Sequence, residues 1–121
     1  MNRAAAVLVI AASDSSGGAG LTRDVQTLSE LQVAVRCAVT AVTVQTDHEV
    51  RATHHVPPSI VRAQIRAALD SGDIGAIKIG MLGNAAMVQA VLESLPPRAQ
   101  VPIVLDPVLV SSSGGRLLDP A

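Results

Sequence analysis

Apolar residues arrive along this chain in two rhythms. From Ala4 to Ala12 they are continuous, with no polar break, as a central parallel strand covered on both faces requires. Leu21, Val25, Leu28 and Leu31 then recur at spacings of four, three and three, which predicts a helix over residues 21–31 with one apolar stripe. From Val33 to Thr46, Val35, Cys37, Val39, Ala41 and Thr43 alternate with Arg36, Ala38, Thr40 and Val42, a β-branched composition that predicts a second strand. A second helix enters at Pro57 or Pro58, buries Ile60, Val61, Ile65, Ala68 and Leu69, and ends at Ser71-Gly72. Ile74–Ile79 reads as a short strand. Asn84 caps a third helix carrying Met87, Val88, Val91, Leu92 and Leu95, Pro96-Pro97 stops it, and Val101–Leu105 forms a fourth strand closed by Asp106-Pro107.

This order, β-α-β-loop-α-β-α-β, has connections long enough for right-handed crossovers and predicts one α/β domain: a parallel or largely parallel sheet with flanking helices. Residues 47–58 are read as a solvated connection. Three histidines and two acids there raise a metal site, but His54 and His55 are adjacent, and in an extended segment they point to opposite sides. With only four strands, at least one apolar edge of the sheet is left open.

Composition narrows the chemistry. A chain of 121 residues that is 49% hydrophobic and 16% charged, with mean hydropathy +0.42, builds a buried core and is not disordered. A net charge of -1 with no basic cluster gives no ground for a nucleic-acid or anionic-membrane partner. There is no Phe, Tyr or Trp, so a flat heterocycle bound here has to lie between aliphatic side chains. The single Cys37 excludes an internal disulfide, and its place in an apolar run predicts a small buried hydrophobe. Arg3 and the apolar run after it superficially suggest a signal peptide. That run passes straight into a polar glycine-rich loop without a cleavage context, so a cytoplasmic protein is expected.

The loop, Ser13-Asp14-Ser15-Ser16-Gly17-Gly18-Ala19-Gly20, is the stretch with most chemical promise. A strand that ends in hydroxyl residues and glycines before a helix gathers backbone N–H groups and a helix N-terminus at one spot, where an anion or polar ligand is favoured. An ordinary turn with Ser15 or Ser16 as N-cap explains the same residues. The spacing is neither the dinucleotide fingerprint nor a P-loop. In an open α/β sheet, ligands bind beyond the carboxyl ends of the strands, which collects Asp14, Gln45, Met81 and Asp106 at one rim. Gln45 offers a donor and an acceptor side by side, matching an aminopyrimidine edge, or is simply a polar strand end. Asp24 either complements the helix dipole or reaches back over the loop. Lys78, the one charge in its strand, reads as a snorkelling side chain.

The loop, together with Asp24, Thr40–Thr46, Lys78–Leu82, Leu105–Val110, Ser113-Gly114 and Arg116–Leu118, resembles in order and spacing the hydroxymethylpyrimidine/phosphomethylpyrimidine kinases of thiamine biosynthesis, within the ribokinase-like superfamily. The resemblance runs from about residue 5 to the last residue. It implies a three-layer ribokinase-like fold, incomplete here, with residues 1–121 as the N-terminal substrate-binding half of a kinase domain. It also implies transfer of the ATP γ-phosphoryl, with Mg²⁺, to 4-amino-5-hydroxymethyl-2-methylpyrimidine and then to its monophosphate.

Carried over by position, Asp24 and Gln45 would hydrogen-bond the pyrimidine, Met81 and Val108 would sandwich it, and the backbone near Ala12 and Thr43 would complete the pocket. Asp106 would lie toward the phosphates or metal, and the chain would hold no catalytic residue or metal ligand set of its own. The family commonly has Gly at Ala12, Gln-Asn-Thr at Gln45-Thr46-Asp47, and Ala-Lys-Ser-Gly-Asp at Ser111–Gly115. Family members are much longer, and the ATP site belongs to the part with no counterpart here. The resemblance therefore implies a chain that is not a competent kinase alone. Its expected partners are the small-molecule pyrimidine and either further copies of itself or a complementary C-terminal half. A non-catalytic aminopyrimidine-binding or regulatory module, or a related pyridoxal-type kinase, are the alternatives.

Overall fold

In the computed structural model, residues 5–97 and 100–106 are described. Five strands and three helices follow in the order β1 (Ala6–Ser13), α1 (Gly20–Glu30), β2 (Ala34–Gln45), β3 (Val50–His55), α2 (Pro58–Asp70), β4 (Ile74–Ile79), α3 (Ala85–Ser94) and β5 (Ile103–Leu105). They form one sheet in the order β3-β2-β1-β4-β5. β1 lies parallel to both β2 and β4, and β4 lies parallel to β5. The chain leaves β1 in one direction and returns to its other side at β4, so the sheet has a topological switch point at its centre.

Alternation along the strands divides the two faces. Leu8, Ile10, Ala38, Ile77 and Ile79 meet Val61, Ile65 and Ala68 of α2 and Met87 and Val91 of α3 in one core. Each fully buried Leu or Ile there contributes about 1.5–3 kcal/mol of burial. Val7, Val9, Ala76 and Lys78 face the other way and, with Asp24, Thr27 and Leu28 of α1, line an open groove of about 310 Å³. No residue of α1 is fully buried, and Leu31 is 67% exposed, because the stripe covers this groove from one side only.

The third strand in sequence was not expected. Residues 47–58 are not simply a solvated connection, since Val50–His55 pairs antiparallel with Ala41–Gln45. As an edge strand bonded on one side only, it needs no apolar alternation, so Arg51, Ala52 and His54 stand exposed. β3 stops short of the lower part of β2, and there the side-chain amide of Gln64 substitutes for it. Val39 N–H donates to Gln64 Oε1 at 2.9 Å, and Gln64 Nε2 donates to Val39 C=O at 3.1 Å.

Three burial expectations are corrected. Cys37 is exposed: it is paired with Val9 on the α1 side, one strand outward from the groove that α1 covers. Ile60 is 50% exposed, at the margin of a helix face centred on Val61, Ile65 and Ala68. β5 is shorter than Val101–Leu105 and all three of its residues are exposed, as its place at the end of the strand order dictates. Asn84 caps α3 as expected, its Oδ1 accepting from Met87 N–H at 2.9 Å.

Candidate functional site

Because β1, β2, β4 and β5 are parallel, their carboxyl ends share one rim, and the loop after β1 folds over it. Asp14 is the loop's internal fastening. It is 7% exposed, and its Oδ1 accepts from Ser16 N–H at 2.8 Å and Ser16 Oγ at 2.6 Å, while Gly17 N–H donates to Asp14 C=O at 2.9 Å. That Asx-type closure leaves Asp14 occupied. Neither Ser15 nor Ser16 is the N-cap. The cap is Ala19, which makes no side-chain cap bond to the first N–H groups of α1. At Gly20, φ is +62° and a Cβ would lie 2.6 Å from Ala12 C=O, so the helix can start against the strand only with glycine there.

Ser15 is instead a clamp across the rim. Its Oγ accepts from Gln45 N–H at 2.8 Å and donates to Gln45 C=O at 3.1 Å, fixing the last residue of β2 to the loop. Thr43, 3% exposed, donates from Oγ1 to Ser13 C=O at 2.8 Å, and the same oxygen lies 3.1 Å from the Gln45 side-chain amide at Oε1. Beside these, Ala12, Ala41 and Met81 close into a small apolar cluster, and Thr40 Oγ1 donates to Met81 C=O at 2.7 Å. Hydrocarbon and an oriented amide are thus adjacent, as a small polar heterocycle requires.

Asp24 lies beyond the first turn of α1 and does not serve its dipole. Its Oδ2 accepts from Lys78 Nζ at 2.6 Å, the two side chains being 23% and 25% exposed. Lys78 therefore does not snorkel to water. It crosses from β4 to α1, and its ammonium lies 3.5 Å from where a Gly80 Cβ would stand, with Ala11 Cβ 3.2 Å from the same point.

The structure groups Ala12 and Met81 in one apolar cluster with Ala41, joins Thr43 to Gln45 and Ser13, and places Asp24 with Lys78 in the groove under α1. Val108 lies outside the described residues. Asp106 is exposed at the end of β5, held by its N–H donating to Ile79 C=O at 2.9 Å. Among the described residues no three His, Cys, Asp or Glu side chains are grouped to hold a metal ion, and no step is routed through one. Also among them, no helix is long and apolar enough to cross a membrane. Sequence reasoning missed Ser15, the hydroxyl of Thr43 and the partnership of Lys78. Only the last had a signal, a lone charge in an apolar strand.

The phosphomethylpyrimidine kinase family profile matches residues 14–121. A hydroxymethylpyrimidine/phosphomethylpyrimidine kinase of Haemophilus influenzae is 39% identical over 118 residues, which is 98% of this chain and 44% of that protein. The crystal structure of a phosphomethylpyrimidine kinase from Clostridium difficile superposes with a TM-score of 0.83 at 36% identity, over 96% of this chain and 50% of that one. A Staphylococcus aureus pyridoxal kinase, in complex with AMP-PCP and pyridoxal, superposes with a TM-score of 0.75 at 32% identity, over 88% of this chain and 40% of that one. The chain thus spans about half or less of the length of these relatives. With its mostly parallel α/β sheet and its vitamin-kinase neighbours, the chain belongs to the phosphomethylpyrimidine kinase family.

Proposed function

We propose that residues 1–121 form the substrate-binding part of a hydroxymethylpyrimidine/phosphomethylpyrimidine kinase of thiamine biosynthesis, the domain assignment expected from sequence. The observation that carries the reading is the anchored Gln45. Ser15 pins its backbone, Thr43 meets its side chain, and the same Thr43 hydroxyl bonds Ser13, next in sequence to Ala12 of the Ala12–Ala41–Met81 cluster. In this reading, a 4-aminopyrimidine presents its exocyclic amine and ring nitrogen to the Gln45 amide and its faces to aliphatic side chains, Met81 on one side and Val108 on the other. Asp24 accepts a further hydrogen bond from the ligand. Binding aligns the 5-hydroxymethyl oxygen for phosphorylation, a reaction that depends on positioning and on stabilising the transferring group.

ATP and Mg²⁺ belong to this proposal at the level of the whole kinase: the AMP-PCP in the Staphylococcus aureus pyridoxal kinase structure supports the nucleotide, and Mg²⁺ rests on the family resemblance. In this reading the chain's own residues bind and orient the ring. A pyridoxal-type preference is the second reading, favoured by the likeness to the Staphylococcus aureus enzyme. Calorimetric titration of the purified chain with 4-amino-5-hydroxymethyl-2-methylpyrimidine and, separately, with pyridoxal tests both. Saturable binding of the pyrimidine alone supports the first reading, binding of pyridoxal alone supports the second, and binding of neither defeats both.

A further inference from the structure

The chemistry of one hydroxyl sets which way the Gln45 amide faces. Thr43 Oγ1 has a single proton. It lies 2.8 Å from Ser13 C=O, an oxygen that can only accept, and 3.1 Å from the end of the Gln45 amide. The shorter contact takes the proton, so the amide end that faces Thr43 has to donate. The two ends of a side-chain amide are nearly isosteric and are told apart by their hydrogen bonds. Thr43 is 3% exposed, which leaves its oxygen no water to turn to and makes two facing acceptors costly.

We infer that Thr43 is a specificity-determining positioning residue: its hydroxyl accepts from Gln45 Nε2 and thereby turns Gln45 Oε1 toward the rim as an acceptor. This deepens the proposed function and rests on it for the ligand's identity. With one Nε2–H committed to Thr43, the other lies beside Oε1, and the amide presents an acceptor–donor pair. A ring with an exocyclic amine next to an unprotonated ring nitrogen is its complement. A ring bearing a carbonyl next to a ring N–H presents the opposite pattern and faces two mismatched contacts. Ser15 contributes by holding the Gln45 backbone, so that only the side chain's own torsions remain to be fixed. The amine-against-carbonyl choice is thereby made by a residue that need not touch the ring with its side chain.

The ligand-free arm of the test is NMR on the isotopically labelled chain. A nuclear Overhauser contact between the Gln45 side-chain amide protons and Thr43 Hβ or methyl is expected, and its absence overturns the inference whether or not any pyrimidine binds. The second arm compares the 4-aminopyrimidine with its 4-oxo analogue in wild type, Thr43→Val and Thr43→Ser. Wild type is expected to prefer the amine by about tenfold or more, the scale of one misplaced hydrogen bond. Thr43→Val is expected to reduce that preference to about threefold or less, and Thr43→Ser, which keeps the hydroxyl, to restore it. An undiminished preference in Thr43→Val, or no restoration in Thr43→Ser, overturns the inference. Failure of wild type to bind either pyrimidine defeats the proposed function instead, and the Overhauser contact still decides the amide's orientation. If Thr43→Val does not fold, that contact in wild type and Thr43→Ser decides alone.

Discussion

Lys78 Nζ lies 2.6 Å from Asp24 Oδ2, joining a central strand to the helix that follows the glycine-rich loop. The pair is neither a surface ornament nor fully enclosed, and it holds the carboxylate beside the rim. Lys78→Met strands Asp24 without its counter-charge. The expected cost lies between exposed and buried pairs, about 1–2 kcal/mol. Urea unfolding checks this through a lowered midpoint at unchanged slope; an unmoved midpoint contradicts it.

Gly20→Ala asks a β-carbon to occupy a left-handed conformation 2.6 Å from the Ala12 carbonyl oxygen. Left-handed strain of about 1–2 kcal/mol adds to the displacement of the strand end. The variant is expected to lose more than 2 kcal/mol or so of stability and, because Ala12 and Ser13 move, to disturb amide resonances at Thr43 and Gln45. Wild-type thermal stability in Gly20→Ala contradicts this picture of the loop.

At the other side of the sheet, β5 presents Ile103, Val104 and Leu105 at 38%, 61% and 61% exposure. A groove of about 380 Å³ between α3 and β5, lined by residues including Leu82, Val88, Leu92 and Leu105, adjoins it. An apolar edge strand next to an apolar groove favours association. Sedimentation velocity of the purified chain is expected to show concentration-dependent self-association, reduced by Val104→Lys. A monomer at all concentrations contradicts this.

Cys37 is exposed, yet partial burial pushes its thiol up from the ordinary value. At a given mildly alkaline pH it therefore carries less thiolate than a free cysteine and should react more slowly with iodoacetamide, reaching the free rate on unfolding. Because the folded state holds this proton more tightly, its contribution to stability is present below the unfolded thiol's range. It is lost as pH rises through the folded value. Alkylation as fast as free cysteine contradicts the assignment.

How far the sequence could be read follows from where each residue's partners lie. β1, β4 and α3 were legible because continuous or periodic burial is written into neighbouring positions, and the Asn84 cap lies three residues from the N–H it satisfies. β3 was not, because a one-sided edge strand carries no apolar rhythm and its register is set by β2. Within the candidate site, Gln45 and Met81 were placed by the rule that strand ends face ligands. The grip of Ser15 on Gln45 spans 30 residues, and that of Lys78 on Asp24 spans 54, distances at which no local pattern operates.

The central claim is that Gln45 reads the ligand. Calorimetric titration of 4-amino-5-hydroxymethyl-2-methylpyrimidine into wild type and Gln45→Ala, with amide spectra showing that both are folded, tests it most directly. The account predicts saturable binding to wild type and none to Gln45→Ala at the same concentrations; equal affinity in the two would contradict it.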